Sequence, residues 1–155
     1  MSYNIFNIIG DLSVYEFFFI TFLSLIRNYK LAIVLFFIIG FLLNSKLNKK
    51  LEYMFTKYLG HFGIVNPCGK FIDPSGHFQT FAFCFTFYIL SHKTINLYIL
   101  FLFLFIALCC LINCIIFNHH TPVEIIFGII VGVLFSYFYF INIKPFVLPF
   151  LQNLI

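Results

Sequence analysis

A chain of 155 residues that is 63% hydrophobic and only 9% charged is too apolar for a soluble domain, because its polar side chains could not cover its own core. Its formal charge of +4 is small and scattered, with no basic patch interleaved with stacking aromatics, which argues against a nucleic-acid partner. Five cysteines form no CxxC pair, and Cys84, Cys109, Cys110 and Cys114 lie inside apolar runs as small hydrophobes, so no disulfide framework is expected.

The first ten residues lack a basic segment and an A-x-A site, so no cleaved signal peptide is expected. The first apolar run is Tyr15 to Ile26, with Asp11 and Glu16 placed at its start, where acids suit a helix N-terminus. The second is Leu31 to Leu43. Both are shorter than the roughly 20 residues of a membrane span, and Arg27 and Lys30 would snorkel to the headgroups. A polar stretch, Asn44 to Ser75, carries five of the nine basic residues: Lys46, Lys49, Lys50, Lys57 and Lys70. Within it, Lys46 to Lys57 predicts an interfacial helix with Leu51, Met54 and Phe55 on its apolar face. Gly60 to Gly76 reads as loop, and Cys68 falls in it.

Three further apolar runs follow: Phe78 to Ser91, Ile95 to Phe117, and Val123 to Ile143. The last contains Gly128 and Gly132 at the spacing that permits close helix contact. Lys144-Pro145 is expected to end it, leaving an apolar interfacial tail to Ile155. The fold class is therefore all-α, a polytopic transmembrane bundle of about five spans in a single domain over 1–155. Loops 44–77 and 118–124 share one membrane face, and the turns holding Arg27, Lys30 and Lys93, with Lys144, share the other. Basic residues divide four against five between these faces, which leaves orientation open. Setting the loop lysines aside as ligands for substrate puts the turns in the cytoplasm and the loops on the non-cytoplasmic side.

Two short strings carry the chemistry, each at the start of a span on the loop face. Pro74-Ser75-Gly76-His77 offers an N-cap serine, a glycine that admits a ligand to the backbone, and a histidine able to donate a proton. Free N–H groups at such a helix start form an anion site. By itself the string also reads as a simple turn with an interfacial histidine. In His119-His120-Thr121-Pro122-Val123-Glu124, His120 and Glu124 stand four apart, so a carboxylate faces one ring nitrogen and leaves the other to attack. The plainer alternative is a polar cap at headgroup level. No Asp/Cys cluster accompanies the His-His pair to make a metal site.

Taken together the strings resemble the type 2 phosphatidic acid phosphatase superfamily of membrane lipid phosphatases, related to vanadium haloperoxidases, with its motifs K-x6-R-P, P-S-G-H and S-R-x5-H-x3-D. Pro74 to His77 matches the second in full, and His120 and Glu124 match the end of the third, with Glu for Asp. The Arg position of the third falls on Cys114 and its Ser position on Asn113. Lys50 and Lys57-Tyr58 fit the spacing of the first, and Asn66-Pro67 is a second candidate for its R-P end. The likeness covers 45–132, chiefly Lys50 to Gly132. The family usually has six spans where five apolar runs are read here.

The resemblance implies the helical core of the phosphatidic acid phosphatases and haloperoxidases, and a metal-independent hydrolase of phosphate monoesters or diphosphates on a lipid, with no cofactor. His120 would be the nucleophile, Glu124 its orienting group, and His77 the general acid. Lys50, Lys57, Ser75, Gly76 and His119 would bind phosphate, with Lys57, Lys70 or His119 offsetting the absent Arg. Two other readings stand beside it: a catalytically weakened relative that binds phospholipid headgroups, and a non-enzymatic membrane protein.

Overall fold

The computed structural model describes residues 5–28, 31–59, 74–116 and 120–154, all helical there apart from short connections. The five apolar runs are five helices, with different limits. Helix α1 spans Ile5–Asn28, so Asp11 and Glu16 lie inside it rather than at its start. The apolar residues from Ile5 to Ile9 carry the helix upstream of the acids, and no proline interrupts it.

Helix α2 spans Leu31–Leu59 without a break. The expected separate interfacial helix from Lys46 to Lys57 is its continuation. Residues 44–59 contain no Gly or Pro and are rich in Lys and Leu, both strong helix formers, so the polarity change does not stop the backbone. At about 1.5 Å per residue the helix is about 44 Å long, more than a hydrocarbon core of about 30 Å. Its lysine-bearing end therefore extends beyond the hydrocarbon.

Helices α3 (Gly76–Ser91) and α4 (Leu97–Ile116) follow. Helix α5 (Pro122–Phe138) does not end at Lys144-Pro145: it passes through a π-helical turn, Tyr139–Ile143, into α6 (Lys144–Leu154). Proline lacks the N–H that an α-helix would require and crowds the preceding turn, and the wider π turn immediately before it relieves both demands. Among the described residues three stretches are long and apolar enough to cross a membrane: Leu31–Tyr58, Leu97–Ile116 and the continuous Pro122–Asn153.

Helix α3 is the centre of the bundle, touching α1, α2, α4 and α5, with its closest association to α5. With its neighbours it forms a core of phenylalanines, Phe83 and Phe87 from α3 itself and Phe17, Phe36, Phe37 and Phe103 from α1, α2 and α4, all buried. The rings meet offset or tilted, as the aromatic quadrupole favours; Phe37 and Phe83 stack at 6.1 Å and Phe36 and Tyr139 at 4.4 Å. Tyr139 packs against Gly40, and its hydroxyl donates to the Phe36 carbonyl at 2.8 Å. The outward face is equally apolar: Leu97, Phe101 and Leu134 are 74%, 70% and 63% exposed, which suits hydrocarbon and not water.

Candidate active site

The GxxxG spacing of α5 forms the seam on which the site is built. A Cβ at Gly128 would stand 2.5 Å from the Ser75 carbonyl oxygen, and one at Gly132 would stand 2.3 Å from that of Gln79. Only glycine lets the two backbones approach this closely. The seam carries the starts of α3 and α5 to the same level, where the Ser75 N–H donates to the Glu124 carbonyl at 3.0 Å. The two histidine-bearing strings are thus hydrogen-bonded to each other through their backbones.

At the start of α5, Thr121 is the N-cap. Its hydroxyl accepts from the Glu124 N–H at 3.4 Å, and the Glu124 carboxylate accepts from the Thr121 N–H. Thr121-Pro122-Val123-Glu124 is a full capping box, a pattern legible in the sequence that the triad reading passed over. The same carboxylate oxygen, Oε2, lies 3.8 Å from His120 Nδ1. That separation is an ion-pair distance, longer than a hydrogen bond. Glu124 is buried and His120 half-buried, and turning Nδ1 to the carboxylate puts Nε2 on the other side of the ring.

At the start of α3, Ser75 is the N-cap by backbone geometry, but its side chain makes no cap bond. Its Oγ is buried without a hydrogen-bond partner among the described residues. Gly76 packs under the Asn48 side chain of α2, whose Nδ2 would lie 2.8 Å from an added Cβ. Asn48 is a site neighbour that sequence reasoning missed. One turn earlier on α2, Asn44 receives two hydrogen bonds from Gln79 Nε2, at 3.2 Å on its carbonyl and 3.0 Å on its side chain. His77, half-buried, occupies the first turn of α3 beside Gly76.

The residue at the third-motif Arg position also comes to this end. Cys114 and Cys110 of α4 pack with Phe78 and Ile125, the residues that follow His77 and Glu124, so a buried thiol stands beside the site. Lys50 and Lys57 are exposed on α2, and the Lys57 ammonium lies 5.5 Å from the Tyr58 ring centre and 5.9 Å from that of Tyr53. The face of α2 turned to α3 and α5 carries Asn44, Asn48 and Phe55 instead, Phe55 meeting Phe127 at 5.3 Å. His119, Lys70, Cys68 and Asn66-Pro67 lie outside the described residues.

A family model described as the PAP2 superfamily matches residues 32–146, most of the chain and all of the elements just described as meeting at the site. The chain belongs to the PAP2 superfamily. No curated protein and no solved structure matches it. PAP2 membership with an all-helical bundle bearing membrane-length apolar helices makes this a phosphatase-related membrane protein. The PAP2 match begins in α2 and ends in α6, so α1 lies before it.

Proposed function

We propose that this protein hydrolyses a phosphate monoester or diphosphate on a lipid such as phosphatidic acid or an isoprenyl diphosphate, through a phosphohistidine. The observation that carries the reading is the 3.0 Å bond from Ser75 N–H to the Glu124 carbonyl, which joins the two motif-bearing helix starts. His120 Nε2 attacks phosphorus; the N–P bond forms as the P–O bond to the lipid breaks. His77 gives its proton to the leaving oxygen. Water, losing a proton to His77, then cleaves the N–P bond and releases phosphate. Glu124 holds the ring and balances the charge that His120 gains. The start of α3, with Ser75 and Gly76, supplies backbone and hydroxyl donors to the phosphate oxygens. The family resemblance adds Lys50, Lys57 and His119 to the phosphate ligands, but Lys50 and Lys57 stand exposed on α2, off the face that meets α3 and α5, and His119 lies outside the described residues. Phosphoryl transfer needs chiefly positioning and charge stabilisation.

The test is phosphate release by purified protein in detergent without added metal. His120→Ala should lower turnover by at least about 10³-fold, as loss of a nucleophile does. His77→Ala should lower it by about 10²- to 10⁴-fold, the range for a general acid. Full activity in both variants sinks the proposal.

One observation favours a second reading, a weakened relative that binds phosphate headgroups with little turnover. Cys114 is buried at the Arg position, and a thiol cannot form the bidentate clamp of a guanidinium. Cys114→Arg distinguishes the two. The variant should lose thermal stability in the absence of ligand, since a buried cation without a partner costs several kcal/mol. Vanadate or phosphate should restore that loss. Under the second reading turnover appears only in the variant, whereas ordinary turnover by the unaltered protein excludes it.

A further inference from the structure

The opposite end of α3 holds a polar recess, apart from the histidine strings. It encloses about 770 Å³, within the range of about 300–1,000 Å³ for ligand sites. Three permanent cations line it from three separate elements: Arg27 in the last turn of α1, Lys93 in the connection after α3, and Lys144 at the start of α6. No carboxylate is among its lining residues. The C-termini of α1 and α3 contribute about half a negative charge each and the N-terminus of α4 about half a positive one, so these partial charges leave most of the cationic charge uncompensated.

The recess has a built floor. His92 Nδ1 lies within hydrogen-bond distance of the Tyr88 carbonyl, at 2.9 Å, and of the Ser91 hydroxyl, at 3.0 Å. The Ser24 hydroxyl of α1 lies 3.0 Å from Nε2, within hydrogen-bond distance. The Tyr88 hydroxyl accepts from the Asn96 N–H at 2.9 Å. These bonds tie α1, α3 and the start of α4 into one surface, and Lys144 is held 4.2 Å from the Phe140 ring centre. Leu97, Tyr98 and Phe101 of α4 are exposed, and the same first turns of α4 carry Ile99 of the recess lining. The apolar outer surface of the bundle, to which these residues belong, suits acyl chains.

We propose that this recess binds the phosphate of an anionic lipid headgroup, in the leaflet opposite the candidate active site. At about 1.5 Å per residue α3 separates the two ends by about 24 Å, so one headgroup cannot serve both. The site does not depend on phosphatase chemistry.

Native mass spectrometry of the full chain carrying His120→Ala, in detergent with added phosphatidylglycerol or phosphatidylcholine, tests it. The protein should retain one phosphatidylglycerol in preference to phosphatidylcholine. Arg27→Gln, Lys93→Gln and Lys144→Gln should each weaken that preference roughly fivefold, and roughly a hundredfold together. The single variants decide the matter if the triple variant fails to fold. Ser75→Ala should leave the preference unchanged, which separates this site from the other end of the bundle. Equal retention of both lipids, or an unchanged preference in the single variants, overturns the proposal. Displacement of the lipid by millimolar inorganic phosphate, with no phosphatidylglycerol preference left, assigns the recess to free phosphate and overturns the lipid assignment.

Discussion

Glu124 takes part in two interactions: its carboxylate caps α5 through the Thr121 N–H and faces His120 Nδ1 at 3.8 Å. The two roles separate by substitution. Glu124→Gln keeps a carbonyl oxygen for the cap, but removes the charge and can turn an N–H toward the imidazole. Turnover should fall by about 10²- to 10⁴-fold, as when a histidine loses its orienting carboxylate. The thermal midpoint should shift by only a few degrees. Thr121→Ala should do the reverse, costing about 1 kcal/mol of stability with a smaller loss of rate. Equal loss of turnover in the two would leave Glu124 as a cap alone. Much of this was legible in the sequence, since spacing of three to Thr121 and of four from His120 are both helix periodicities. Asn48 was not legible. Its place over Gly76 depends on how α2 packs against α3, which no local pattern encodes.

Two helix starts meet at the site because α3 and α5 press together along Gly128 and Gly132. In an exposed helix, glycine to alanine stabilises by about 0.5–1 kcal/mol. At this seam the sign should invert: Gly128→Ala should destabilise by about 1–3 kcal/mol, the cost of overpacking. Its added methyl group points at the Ser75 carbonyl, so turnover should fall as well. Thermal melts beside phosphate release check both, and a stabilised, fully active Gly128→Ala would refute the seam. The GxxxG spacing revealed the contact surface in advance, and the packing revealed its partner. The limits of α2 and α5 were misread for one reason. Polar residues in α2 and a proline after α5 mark where the chain leaves hydrocarbon or loses an N–H, and backbone helicity survives both when good helix formers or a π turn bridge the place.

Across the whole bundle, chemistry is divided between the two ends of α3. The motif strings and the polar face of α2 lie at its start, and the cationic recess lies at its finish. Composition made the membrane setting plain, because hydrocarbon alone suits a surface that exposes Leu97 and Phe101. Sidedness was harder to read, because lysines near both ends nearly balance. Setting the lysines of the motif end aside as ligands for substrate leaves the cations of the other end as the topological signal. On that count the α3–α4 connection is cytoplasmic and the candidate site faces away from the cytoplasm. Cysteine labelling tests the arrangement directly. Four native cysteines are buried, at 84, 109, 110 and 114, so a Cys68→Ser background isolates an introduced thiol. With an impermeant maleimide on intact cells, Lys46→Cys at the site end should react at once. Lys93→Cys in the recess should react only after permeabilisation. The reverse order would invert the topology while leaving the bundle intact. Labelling of both from the same side would place the two ends on one face, and the arrangement of α3 across the membrane would be wrong.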